Sequence, residues 1–327
     1  HCKTHKMPAV VRLQLERGIT KHKCATFGEA EMLAQAGARD VFLAYNLVGP
    51  NVQRATAFQR KYPEVRFAVT ADHQRPLDEL AAAMRTAGQT INVLVDLDSG
   101  MHRTGLTIGP QAFELYRQIA ETPGLQADGL HLYDGQNHQT PLDERTRAVQ
   151  TAWEPATALR DELESSGLEV PRIVAGGTGS FPIYAQLADP VLELSPGTCV
   201  FHDVGYGARF PDLDFSPAAL LLTRVISRPT DDRMTLDLGY KACASDPPAD
   251  QRLVFPDLPD ADAVLQNEEH LVLCTKQSQR FEPGDELWAI PRHICPTSAL
   301  HKQAYVVKQE RLIEPWPVVA RDRWLSV

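Results

Sequence analysis

Two stretches of the chain are dense in groups that can hold an anion: Ala175-Gly176-Gly177-Thr178-Gly179-Ser180 and Ser195-Pro196-Gly197-Thr198. Glycine lets the backbone turn tightly and leaves its N–H open to a ligand, and a helix starting after such a loop adds favourable polarity. Phosphate suits that chemistry. The plainer reading of the same residues is a pair of turns. At the other end of the sequence, Lys3 sits in His1-Cys2-Lys3-Thr4-His5-Lys6. In an extended segment His1, Lys3 and His5 point one way, because side chains alternate. Neighbouring positive charge lowers a lysine pKa and favours the free amine. A free amine beside a phosphate site suits a Schiff base with pyridoxal phosphate. Taken alone, Lys3 reads as a solvated surface lysine, and the glycine loops are what lend it interest.

Other groups would complete such a site. Asp96-Leu97-Asp98-Ser99-Gly100-Met101-His102-Arg103-Thr104-Gly105 offers Asp96 to orient a partner and Arg103 to reach a cofactor oxygen. Tyr133 is a flat ring that could stack on another. In Pro291-Arg292-His293-Ile294-Cys295, His293 and Cys295 share a face if the segment is a strand. Imidazole plus thiolate suits zinc. His22-Lys23-Cys24 repeats the spacing, but is expected to lie at the wrong end of its strand and to be a decoy.

The elements that must position these residues alternate. Short apolar runs at 19–26, 40–46, 66–71, 91–98, 128–134, 172–177 and 191–198 read as strands. Helical periodicity lies between them, beginning at Phe27 and Leu77 and spanning 110–121 and 142–165. Strand–helix alternation predicts a parallel sheet. Seven visible strands, with Lys3 at the end of an eighth, predict a (β/α)8 barrel over residues 1–209, with its site at the C-terminal strand ends. From 210 to 327 proline becomes frequent, and pieces at 218–227, 233–238, 270–275, 286–290 and 304–313 predict a mostly antiparallel β domain.

Composition narrows the function classes. The chain has 327 residues with 43% hydrophobic and 23% charged, as in a soluble globular protein. Its net charge of −9 offers no nucleic-acid surface. No apolar run approaches the roughly 18 residues of a membrane span. Six scattered cysteines are expected to be reduced thiols in a cytoplasmic protein.

Together these motifs resemble the D-threonine aldolase and D-serine dehydratase group of pyridoxal-phosphate enzymes, which share the alanine-racemase type of fold. The resemblance covers nearly the whole chain. It rests on HCKTHK (1–6), FGEAE (27–31), VDLDSGMHRTG (95–105), GLHLYDG (129–135), GGTGS (176–180), LSPGTCVFHD (194–203) and HICPTSALH (293–301). It implies that Lys3 carries the cofactor, that Arg103 lies near its phenolic oxygen and that Tyr133 packs on its ring. Thr178, Gly179, Ser180, Gly197 and Thr198 would hold its phosphate, and His293 and Cys295 would hold a divalent metal, zinc by donor type. It also implies a C-terminal domain over the barrel mouth, a homodimer, and a further helix and strand ahead of Lys3.

Two departures matter. Aldolases of this group typically carry His-x-Asp at the metal pair and dehydratases His-x-Cys, and this chain has the second form. After Tyr133 it reads Asp134-Gly135-Gln136 where aldolases resemble Ala-Gly-His, although His138 is close. The expectation is therefore a lyase acting on a small D-β-hydroxy amino acid, by β-elimination as in D-serine dehydratases. Retro-aldol cleavage is the alternative. Racemisation, with Tyr240 as a second-face base, and a non-catalytic pyridoxal-phosphate carrier are further rivals.

Overall fold

Parallel strands form at all seven of the expected apolar runs. The computed structural model describes residues 1–327, which divide into two units. The first comprises His1–Lys3, Met7–Gly197 and Asp322–Val327, and the second Thr4–Lys6 and Thr198–Arg321.

In the first unit the strands are β1 (Lys21–Cys24), β2 (Asp40–Asn46), β3 (Arg66–Ala71), β4 (Ile91–Asp98), β5 (Leu106–Thr107), β6 (Leu125–Tyr133), β7 (Ile173–Ala175) and β8 (Leu192–Leu194). They pair in the order β1-β2-β3-β4-β6-β7-β8, all parallel, with β5 added to β4. Helices α1 (Pro8–Leu15), α2 (Phe27–Gln35), α3 (Pro50–Lys61), α4 (Gln74–Ala87), α5 (Pro110–Glu121), α6 (Leu142–Ser165) and α7 (Phe181–Tyr184) alternate with them. The start of α2 shows the local logic. Thr26 Oγ1 accepts the Glu29 N–H at 3.2 Å, while Glu29 Oε2 accepts the Ala25 N–H at 2.7 Å. Orphan donors of the first turn are thereby satisfied by a capping box.

β1 and β8 do not pair with each other. His1 and Cys2 span the interval between them: Cys2 N–H donates to Lys23 O at 3.0 Å, and His1 N lies 2.9 Å from Pro196 O. Residues 2–5 form a turn here, not the extended strand the sequence predicts. Lys3 N–H donates to His1 Nδ1 at 3.2 Å, which closes the turn and breaks side-chain alternation.

The barrel interior is layered. At the strand starts, Arg172 pairs with Asp128, Asp40 and Glu193, and Arg66 with Asp128 and Asp40, while Lys21 closes on Glu193. Next comes an apolar plug of Phe42, Ala68, Leu94 and Val174. Nearer the C-terminal strand ends lie Lys23, Asp96, His131 and Ser195, all buried.

The second unit is a six-stranded sheet. Its strands are β9 (Leu221–Thr230), β10 (Arg233–Leu236), β11 (Leu253–Val254), β12 (Asp262–Gln266), β13 (Leu271–Cys274) and β14 (Glu286–Pro291), ordered β11-β14-β9-β10-β13-β12 and antiparallel. Its core is Val225, Met234, Leu236, Leu271, Leu273 and Leu287. The expected strand at 304–313 is instead a hairpin of β15 (Gln303–Lys308) and β16 (Arg311–Pro317). Gln309 and Glu310 both have positive φ, 50° and 61°, as a two-residue hairpin turn requires. Two short helices also appear where none is expected: α8 (Val204–Arg209) and α9 (Ile294–Leu300). The last residues return to the first unit, where Ser326 N–H donates to Glu31 Oε1 at 2.9 Å. No helix is long and apolar enough to cross a membrane.

Candidate active site

The first unit gathers most of the expected residues at the C-terminal ends of its strands. Arg103 lies over Tyr133, its Cζ 4.9 Å from the ring centroid. The loop that carries Arg103 is tightly built. Asp98 Oδ1 accepts the N–H groups of Gly100 and His102, each at 2.9 Å. Gly105 has φ +97°, and a Cβ there would meet the Leu97–Asp98 backbone at 2.7 Å. Asp96, Asp98, Ser99, Met101, Arg103 and Tyr133 line a small hollow. Lys3 is exposed.

The two glycine loops converge. Gly197 N–H donates to Thr178 Oγ1 at 3.3 Å, tying the loop after β8 to the loop after β7. Gly177 N–H and Ser180 Oγ both donate to Asp134 Oδ1, at 3.2 and 2.8 Å. Burial pushes the Asp134 carboxyl up despite these hydrogen bonds. Gly176 has φ +78°, and a Cβ on Gly177 would touch the Tyr133 ring at 3.4 Å. Hydroxyls and glycine N–H groups packed against an aromatic face fit a planar phosphate ester such as pyridoxal phosphate. Thr178, Gly179 and Ser180 are buried.

The His22/Cys24 pair was set aside on sequence as lying at the wrong end of its strand, and there the structure overturns the reason. β1 runs Lys21–Cys24, so Lys23 is near its C-terminal end. Its Nζ is 2.8 Å from His131 Nε2 and 3.1 Å from Ser195 Oγ, and 5.4 Å from the Tyr133 centroid. Burial pulls its pKa down to about 7, against the attraction of Asp96. Alternation puts His22 and Cys24 on the opposite face from Lys23. Cys24 Sγ lies 3.6 Å from Phe42 O, and His22 is buried.

In the second unit His293 and Cys295 come together, but not on a strand. β14 ends at Pro291, His293 is the N-cap of α9 and Cys295 lies in its first turn. The reason is Asp203, whose Oδ2 accepts the Ile294 N–H at 3.0 Å while Oδ1 caps α8 through Tyr206 N at 2.9 Å. The His293 side chain is thus left for other partners. Its Nδ1 is 2.6 Å from Asp246 Oδ2, and it is hydrogen-bonded to Cys295. Cys295 Sγ lies 3.1 Å from Thr4 Oγ1 and 3.5 Å from Thr198 Oγ1. Burial pushes this thiol up, yet hydrogen bonds with His293, Thr4 and Thr198 outweigh burial and hold it below the ordinary value. The hydrogen bond to Cys295 raises His293 to about 9. An imidazole backed by a carboxylate, with a cysteine sulfur beside it, is a donor set that suits zinc.

Sequence reasoning missed Asp134, Asp246, His131 and Lys23. Strand alternation carried a usable signal for two of them, since His131 and Lys23 share the inward face with Tyr133 and its layer. For Asp246, far from any motif, there was none.

The sequence pattern of the family "Alanine racemase, N-terminal domain" matches residues 1–203, and a serine dehydratase domain pattern matches residues 218–307. A D-threonine aldolase from Arthrobacter sp is 30% identical over 98% of this chain and 84% of its own length. A 3-hydroxy-D-aspartate aldolase from Paracoccus denitrificans is 27% identical over 99% of this chain and 84% of its own. The crystal structure of D-threonine aldolase from Filomicrobium marinum superposes with a TM-score of 0.90 at 29% identity, covering 98% of this chain and 86% of that one. The chain therefore belongs to the alanine-racemase-type family of pyridoxal-phosphate-dependent enzymes, among its lyases on D-β-hydroxy amino acids.

Proposed function

We propose that this enzyme eliminates water from a D-β-hydroxy amino acid of the D-serine type, with pyridoxal phosphate on Lys3 and a divalent ion, zinc by donor type, at His293 and Cys295. The observation that carries elimination over aldol cleavage is Gln136. Its Nε2 donates to Ser99 O at 2.6 Å, and an amide there has no basic nitrogen to take a hydroxyl proton. The His-x-Cys form of the metal pair supports the same choice.

Pyridoxal phosphate, when bound, supplies an electron sink for charge developing at Cα. The residues of the chain do the rest. Thr178, Gly179, Ser180, Gly197 and Thr198 would hold the phosphate with N–H and hydroxyl donors. Tyr133 would pack on the ring, and Arg103, held over Tyr133, would supply fixed positive charge near the phenolic oxygen. The Lys3 amine takes the Cα proton. His293 and Cys295 would hold an ion, which would supply Lewis acidity toward the substrate's β-oxygen. Loss of one proton and one hydroxide, followed by hydrolysis, gives a 2-oxo acid and ammonia.

Retro-aldol cleavage is the second reading, favoured by the full-length likeness to two aldolases. A panel of D-serine, D-threonine and D-3-hydroxyaspartate, with products identified, separates the two. Elimination yields ammonia and a 2-oxo acid, and cleavage yields glycine and an aldehyde. Chelation should stop turnover and Cys295→Ala should abolish metal-dependent activity while the cofactor's visible band persists. Cys295→Asp should weaken zinc, tolerate manganese better and move products toward glycine. Turnover indifferent to chelation would remove the metal from the account.

A further inference from the structure

We propose that Lys23 is a positioning residue of the cofactor site, tying the end of β6 through His131 to the loops after β7 and β8 through Ser195. The inference rests on the pyridoxal-phosphate reading above. Its geometry is that of stacked inward layers. His131 lies two residues before Tyr133 on β6 and so points inward one layer below it, and Ser195, the first residue after β8, opens the loop that carries Gly197. Lys23 is the side chain common to both.

Proton accounting shows why a lysine is needed. His131 Nδ1 is 2.6 Å from Asp96 Oδ1, so the ring proton sits there and Nε2 is an acceptor. Ser195 Oγ donates to Gly176 O at 3.1 Å, which leaves its lone pairs to accept. Both acceptors face Lys23 Nζ, at 2.8 and 3.1 Å. An amine has protons for both, and no apolar side chain has any. Gly176 opens the loop after β7, so one buried nitrogen fixes both phosphate loops against the strand that carries Tyr133. The charged groups that act on Lys23 are Asp96, Lys3, Asp134 and Arg103. With a pKa pulled down to about 7 by burial, Lys23 changes charge near neutrality. Removing it should therefore alter the pH response of the site as well as its grip.

The test uses the full chain, stripped of cofactor and titrated with pyridoxal phosphate while the visible band is followed. Lys23→Met should bind about tenfold more weakly, the scale of a lost charged hydrogen bond. It should also move the pH midpoint of the band upward, because a nearby positive charge that opposes protonation is gone. If Lys23→Met does not fold, Ser195→Ala carries the test, since it keeps the amine and removes one acceptor. Several-fold weaker binding with an altered pH midpoint is expected. A folded variant with wild-type affinity and wild-type midpoint overturns the inference alone. A wild-type chain that takes up no pyridoxal phosphate overturns the cofactor reading and this inference with it.

Discussion

The two ends of the barrel interior are both polar, with buried charge at their centres, yet they are built on opposite principles. At the strand starts, Arg172 and Arg66 face Asp128, Asp40 and Glu193, so every charge has a partner of opposite sign. Burial still pushes the Asp128 carboxyl up, against the pull of both arginines. At the other end Lys23, His131 and Asp96 form a chain of hydrogen bonds in which burial pulls Lys23 to about 7 and His131 to about 4. One end settles its charges against each other. The other holds groups whose protonation is soft, beneath a mouth built of glycines, hydroxyls and an aromatic ring. Barrels place stability at the first end and chemistry at the second.

Breaking the paired end should have the largest effect. Arg172→Met leaves Asp128 and Asp40 short of a partner, and should cost about 3–5 kcal/mol in urea unfolding. The cofactor band of whatever protein remains folded should be unchanged. A neutral Arg172→Met would mean that the ring is not what holds the strand starts.

The second unit adds a single carboxylate–imidazole pair to this contrast, Asp246 Oδ2 lying 2.6 Å from His293 Nδ1. Asp246→Asn should weaken zinc binding about 10- to 100-fold, read by competition with a chelator, with little change in thermal midpoint. Unchanged affinity would remove Asp246 from the metal site.

Acid should expose the buried histidines. Burial lowers His22 and His131 from 6.5 to about 4 each. Between those pH values the unfolded chain binds protons that the folded chain refuses, so stability falls as pH falls through that window. The slope should reach about 1.4 kcal/mol per pH unit for each histidine. His22 is buried, so His22→Leu should flatten the slope by about one proton while leaving stability at pH 7 largely intact. An unaltered slope would mean that His22 is hydrated or charged in the fold.

The smallest effect is expected at Gly177. An added methyl would meet the Tyr133 ring at 3.4 Å, ordinary contact distance. Gly177→Ala should fold normally and bind pyridoxal phosphate only a few-fold more weakly in the band titration. A change much larger than that would show that the space between loop and ring is fully used.

Much of this was legible in the sequence, for physical reasons. Parallel strands buried on both faces read as apolar runs, which is why β2, β3, β4, β6 and β7 stood out. Arg103, Tyr133 and the glycine loops were legible because strand ends mark the working face. The turn at 2–5 was not, since His1 Nδ1 accepting the Lys3 N–H is a contact no periodicity encodes. The helix at His293–Cys295 was hidden because its start is satisfied by Asp203, ninety-one residues away in the chain from Ile294. Lys23 passed unremarked because it is one charged residue in a four-residue strand, and only the fold brings His131 and Ser195 within reach of its Nζ.

The most direct test of the account is to load the full chain with pyridoxal phosphate, reduce it with borohydride and map the modified peptide by mass. Two amines compete on physical grounds: Lys3, in the turn between β1 and β8, and Lys23, buried below with a pKa near neutrality. The account predicts the pyridoxyl group on Lys3, with Lys23 unmodified. Modification of Lys23, or of Lys6 or Lys241, would contradict it.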